Sequence, residues 1–260
     1  MDLGLIGKAA IVTGGSAGIG RAVALRLAQE GARVAICARR AEPLEQAAAG
    51  LREDSGGEVL AVPADVSQDG DVRRLVEQAV ERFGRLDILV NNAGTSAASP
   101  FAEVDDATWQ ADLDLKLFAA IRTIRLAIPH LAEAGGGSIV NVVNIGAKAP
   151  PANSVPTSVS RAAGIALTKA LSKELAPQNI RVNAVCIGMI KSDQWVRRAT
   201  SLGQDLDQYY HAVTRERAIP LGRVGEAEGV GDLVAFLASE RGRYITGTAI
   251  NIDGGSSAMV

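Results

Sequence analysis

Cysteine, histidine and aromatic side chains are all scarce in this chain. Its 260 residues include two cysteines, two histidines and only 3% aromatics. Cys37 and Cys186 are each flanked by apolar residues, as small buried hydrophobes would be, and two lone thiols make no disulfide framework. Unpaired thiols fit a reducing, cytoplasmic setting. His130 and His211 stand far apart, so the sequence offers no metal cluster. Apolar runs stay short of the roughly 18 residues that a membrane helix needs. The start, Met1 to Lys8, lacks the basic-then-apolar layout of a secretory leader. One-sided charge is missing too: 27 basic and 29 acidic residues leave a formal net charge of −2, with no long block of either sign. That balance argues against nucleic-acid and membrane partners and leaves a small-molecule substrate as the expected partner.

The chain is rich in short apolar runs that alternate with helical patterns; 47% of its residues are hydrophobic. Strand candidates are 9–12, 33–37, 58–62, 88–90, 138–143, 181–185 and 249–252. Between them, apolar residues recur at three- and four-residue spacing, for example over 20–30, 71–83, 108–131, 159–175 and 226–239. Wholly apolar strands separated by helices of this length predict a doubly wound α/β fold, Rossmann type, with a parallel sheet covered on both faces. No linker divides the chain, so a single domain is expected. The stretch from about 189 to 222 shows no clear period. It follows a core strand, and ligands bind beyond the carboxyl ends of such strands, so it is expected to form a substrate lid.

Three motifs carry a resemblance. Thr13-Gly14-Gly15-Ser16-Ala17-Gly18-Ile19-Gly20 follows the run Ala9–Val12; Asn91-Asn92-Ala93-Gly94 follows the fourth strand; Ile252-Asp253-Gly254-Gly255 lies near the end. Together they resemble the short-chain dehydrogenase/reductase family over essentially the whole chain. Glycines at 14, 18 and 20 in a strand-to-helix turn suit a dinucleotide, because the backbone can approach the pyrophosphate and the helix N-terminus favours anions. The second strand ends in Ala38-Arg39-Arg40. It has no carboxylate for ribose hydroxyls, while Arg39, with Ser16, can grip a 2′-phosphate. NADP(H) is therefore expected over NAD(H). The bland alternative makes Arg39 and Arg40 solvated charges. The resemblance further implies that Asp65 and Val66 border the adenine, that Asn91, Ala93 and Gly94 line the cofactor, and that the segment ending at Gly188 passes the nicotinamide. Asn91 would also tie neighbouring strands together.

Members of this family work with a tyrosine proton donor, a lysine four residues later, a carbonyl-polarising serine and an asparagine on the preceding helix. The corresponding positions here hold Thr157, Arg161, Asn144 and Lys116. No shift of frame restores the motif, since the first tyrosine of the chain is Tyr209. A phenol ionises near pH 10 and can be tuned by a cation, whereas an alkyl hydroxyl is a far weaker acid. Arg161 keeps a positive charge but stays protonated. Asn144 can hold an oxyanion, and Lys116 near a second cation would have a depressed pKa suited to acid–base work. The bland reading of Lys116 is a surface ion pair with Asp112, one helical turn earlier. Tyr209, Tyr210 and His211 in the expected lid are substrate contacts or substitute proton donors.

The resulting reading is an atypical NADP(H)-binding oxidoreductase acting on an unknown carbonyl or alcohol, with weak or no ordinary ketone reductase activity. The alternatives are a cofactor-binding protein without dehydrogenase activity (a sensor, scaffold or partner subunit) and a non-redox enzyme on the same fold. A homotetramer is expected as well. Leu113, Leu117, Ile121, Ile124, Ala163, Ala166, Leu167 and Ala170 exceed what one core-facing stripe needs, and the resemblance implies that these helices pair across a two-fold axis.

Overall fold

Strand β1 (Ala9–Thr13) shows how the sheet is built: Ala9 and Ile11 face one apolar cluster, Ala10 and Val12 the other, and all four are fully buried. A strand buried on both sides must pair on both sides. In the computed structural model, which describes residues 2–260, β1 pairs in parallel with β2 (Arg33–Ala38) and with β4 (Ile88–Asn91). The remaining strands are β3 (Val59–Pro63), β5 (Gly137–Asn144), β6 (Ile180–Ile187) and β7 (Ala249–Ile252). The sheet order is β3-β2-β1-β4-β5-β6-β7, parallel throughout. The order reverses between β1 and β4, which opens a crevice at their carboxyl ends.

Helices α1 (Gly18–Gln29), α2 (Ala41–Ser55) and α9 (Ala227–Ala238) cover one face through Val23, Leu27, Leu44, Leu51, Val230 and Val234. Helix α3 (Asp69–Phe83) covers the other face with Leu75 and Val76, and α5 (Ala119–Glu133) joins it with Ile124 and Leu131. Between them in sequence, α4 (Asp106–Leu113) precedes α5, and α6 (Thr157–Glu174) follows β5. Of the apolar positions expected to exceed one core-facing stripe, Ile124 belongs to the core. Leu113, Leu117, Ile121, Ala163 and Leu167 are half-buried, while Ala166 and Ala170 are exposed. Cys37 and Cys186 are free and buried; burial pushes the Cys37 thiol up to about 12, which makes it inert.

One expectation gains detail and one needs correction. The helical pattern over 108–131 runs without a break, with Asp114–Phe118 forming a π-turn that joins α4 to α5. The stretch 189–222 is not irregular. It contains α7 (Asp193–Ser201) and α8 (Leu206–Glu216), closed around a satellite core of Met189, Ala199, Tyr209, Tyr210 and Val213 with Trp195 beside them. Both helices are short and mostly polar, so their periodicity rests on a few residues. No helix among the described residues is long and apolar enough to cross a membrane.

Candidate active site

The β1–α1 turn supplies Gly14, Ser16, Gly18, Ile19 and Gly20. Gly20 is fixed by close approach, because a Cβ there would lie 2.1 Å from the Gly14 carbonyl oxygen. Across the crevice, Asn92 Nδ2 donates to the Thr13 carbonyl at 2.9 Å, and the Thr13 hydroxyl accepts the N–H groups of Asn92 and Ala93, each at 3.0 Å. The turn is thereby pinned to the loop after β4. At the end of β2, Arg39 is exposed and makes no ion pair among the described residues. Asp65 accepts from the Ser67 N–H and hydroxyl, and Val66 is buried beside it. A Cβ on Gly188 would meet the Asp253 Cα at 2.6 Å, so that glycine is packed on the end of β7. Asn91 does tie strands together: it donates to Asn141 at 2.9 Å and accepts from Thr123 at 2.6 Å.

Beyond the ends of β4 and β5, four side chains form one buried hydrogen-bonded group. The π-turn carries Lys116, and such local widening of a helix recurs at functional sites. Lys116 Nζ donates to Asp112 Oδ1 and, at 3.0 Å, to Thr157 Oγ1. Asp112 Oδ2 accepts from the Ser160 hydroxyl at 2.6 Å. The Ala97 N–H donates to Thr157 Oγ1 at 2.9 Å. The Lys116 and Asp112 side chains are only 1% and 2% exposed, so their pairing is a core feature and the surface ion pair is ruled out. Burial chiefly pulls the Lys116 pKa down to about 8; the hydrogen bond to Asp112 opposes this, and the charge of Arg161 adds to it.

Arg161 Nη1 donates to the Val142 carbonyl at 2.7 Å, and its guanidinium lies so close to Gly94 that a Cβ there would fall 2.3 Å from Nη2. Burial lowers its pKa to about 10, with Asp112 opposing, so it stays charged at neutral pH. Behind the group is a cavity of about 20 Å³, lined by Asn91, Lys116, Thr123, Asn141, Ser160 and Arg161, with room for about one water. Asn144 ends β5 with Oδ1 buried and unpartnered. A buried amide oxygen without a donor is costly. It accepts a hydroxyl as it stands, or presents its NH₂ to a carbonyl after a 180° turn of the amide.

Whole-chain comparisons identify the family. Residues 14–257 match the family model described as Enoyl-(Acyl carrier protein) reductase. The 3-oxoacyl-(acyl-carrier-protein) reductase FabG of Chlamydia pneumoniae is 35% identical over 258 residues, covering 98% of this chain and 99% of its own. Human dehydrogenase/reductase SDR family member 4 is 38% identical, over 98% of this chain and 90% of its own. The chain belongs to the short-chain dehydrogenase/reductase family. Among solved structures of this family, L-sorbose reductase from Gluconobacter frateurii, complexed with NADPH and L-sorbose, superposes with a TM-score of 0.96 at 37% identity, covering all of both chains. An NADPH-bound short-chain oxidoreductase from Pseudomonas aeruginosa PAO1, described as containing an atypical catalytic center, matches at a TM-score of 0.93 and 37% identity over 98% of this chain and 99% of its own.

On this short-chain dehydrogenase/reductase frame, the structure brings Lys116 and Thr157 into contact and leaves Tyr209, Tyr210 and His211 elsewhere. The two tyrosines are buried in the satellite core with ring centroids 5.9 Å apart, and His211 is exposed on α8. Burial raises the Tyr210 pKa, with Lys191 opposing, which is the wrong direction for a substitute acid at neutral pH. Sequence reasoning missed Ser160 and the inward turn of Asp112. Their signal was present: polar residues at 112, 116, 157 and 160 recur at helical spacing on faces that otherwise pack.

Proposed function

We propose that the chain is an NADP(H)-dependent oxidoreductase in which Lys116, acting through Thr157, replaces the family's tyrosine as proton source. The observation that carries this reading is the buried Lys116 ammonium bonded to Thr157 Oγ1 at 3.0 Å. NADPH, when bound, supplies a hydride to a carbonyl carbon. Arg39 and Ser16 would hold its 2′-phosphate, and the N-terminus of α1 its pyrophosphate. Arg161 would face its ribose as a fixed cation.

Thr157 Oγ1 already accepts two N–H bonds, so its own O–H is left to donate. As that proton passes to the substrate oxygen, Thr157 regains one from Lys116; the substrate becomes an alcohol, Lys116 ends neutral, and Thr157 is unchanged. A lysine at about 8 is charged at neutral pH and still releases a proton. Asn144 polarises the same oxygen. Because the hydroxyl relay is a weaker acid than a tuned phenol, activated carbonyls should react better than simple ketones. The helices α7 and α8 serve as a lid: a Cβ on Gly18 would come within 3.4 Å of the Ser192 Cβ, so the lid's entry lies against the glycine turn.

A second reading, cofactor binding without turnover, is supported by Arg161, whose guanidinium is tied to a backbone carbonyl and cannot pass on a proton. Calorimetric titration with NADPH and NADH, followed by turnover with diketones, L-sorbose and simple ketones, separates the two. Tight NADPH binding with reduction of a diketone supports the first reading. Binding without turnover of any substrate supports the second. We also infer a homotetramer, on the exposed Phe118 and Val159 and the open alanines of α6; a monomeric mass by light scattering at micromolar concentration would contradict it.

A further inference from the structure

We propose that Asp112 is a positioning residue that sets the proton affinity of Lys116 and aims it at Thr157, and that Ser160 holds Asp112 in place for this task. The inference rests on the reading of Lys116 as the proton source and extends it to two residues outside the family's four positions. The geometry is a chain with no slack. One carboxylate oxygen of Asp112 takes Lys116, and the other takes Ser160, whose hydroxyl also reaches the Thr157 carbonyl at 3.1 Å. Thr157 and Ser160 lie one turn apart on α6, so the helix that presents the relay hydroxyl also anchors the carboxylate. Asp112 and Lys116 lie on the other wall, across the junction of α4 and the π-turn.

The charged groups facing Lys116 are Asp112 from α4 and Arg161 from α6. Asp114, on the π-turn, is instead held by Arg122 at 3.6 Å. Asp112 is thus the single carboxylate that offsets burial and the Arg161 charge. Without it, a lysine this deeply buried would give up its proton at neutral pH and have nothing to deliver. Ser160 adds direction: with Oδ2 occupied, Oδ1 is the oxygen left for Lys116.

The test compares the parent with Asp112→Asn and Ser160→Ala, each with and without Lys116→Met, by urea unfolding from pH 6 to 10. Lys116 is held below its ordinary 10.5, so between about 8 and 10.5 the unfolded chain binds more protons. Stability attributable to Lys116 therefore rises with pH across that window. Asp112→Asn should move the onset down by about one pH unit or more, and Ser160→Ala by less. The downward limb of the pH–rate profile for diketone reduction should move by the same amounts. A shifted stability profile in a protein that reduces nothing would uphold the role of Asp112 while refuting Lys116 as proton source. Unshifted profiles in both variants would overturn the inference. If Asp112→Asn does not fold, the smaller shift in Ser160→Ala decides, and its absence counts against the proposal.

Discussion

The protein contains two clusters of one buried carboxylate and two cations, at opposite ends of the same sheet. At the amino end, Asp87 is gripped by Arg85 through two hydrogen bonds of 2.6 and 2.7 Å, by Lys8 at 3.2 Å and by the Ala9 N–H at 2.9 Å. At the carboxyl end, Asp112 holds Lys116, with Arg161 near. The composition is alike and the burial is not. The side chains of Lys8 and Arg85 are 34% and 38% exposed, so water carries much of their charge, whereas that of Lys116 is 1% exposed. At Asp87 burial alone would raise the carboxyl pKa, but Arg85, Ala9 and Lys8 outweigh it and hold the group ionised. At Lys116 burial wins and the proton becomes loose. On the proposed reading, the cluster whose cation keeps its water is a clamp, and the cluster whose cation loses it is a reagent.

Substitutions can break that contrast. Lys116→Ala should lower turnover of an activated diketone by about 10²–10⁴-fold, the usual scale for a lost general acid, with the NADPH dissociation constant nearly unchanged. Paired kinetics and calorimetry check this. Asp87→Asn should leave NADPH binding alone and cost about 2 kcal/mol in urea unfolding, through the lost charge-assisted hydrogen bonds to Arg85 and Lys8. A loss below about 1 kcal/mol would mean the clamp is ornamental. The Asp87 contribution is present above the ordinary carboxylate range and lost as pH falls through its depressed pKa. Arg39→Ala should weaken NADPH by about 1–2 kcal/mol and leave NADH untouched, on the scale of a charge-assisted hydrogen bond. Equal affinities for the two dinucleotides in the parent protein would refute the 2′-phosphate contact.

These two clusters also mark where the sequence was legible. The fold followed from strands such as Ala9–Thr13 that are apolar on both faces, and the cofactor crevice from glycines whose spacing is a backbone requirement. Lys116 was found as a position, with a depressed pKa beside Arg161 as one reading and a surface pair with Asp112 as the other, and the burial that decides between them was not legible. An aspartate and a lysine four apart on a helix are ordinarily solvated, and only the π-turn and the packing of α6 turn them inward. Asp87 and Ser160 went unread because Lys8 and Asp112, distant in sequence, are brought to them by the fold. The helices over 193–216 were missed because their apolar residues face a local core of their own.

The most direct test of Lys116 as proton source is the pH dependence of kcat/KM for NADPH-driven reduction of an activated diketone by the unmodified protein, from pH 6 to 10. The protonated lysine is the competent form, so the rate should hold level at low pH and fall about tenfold per unit above about 8. A profile that stays level to pH 10, or that rises with pH, would contradict the account.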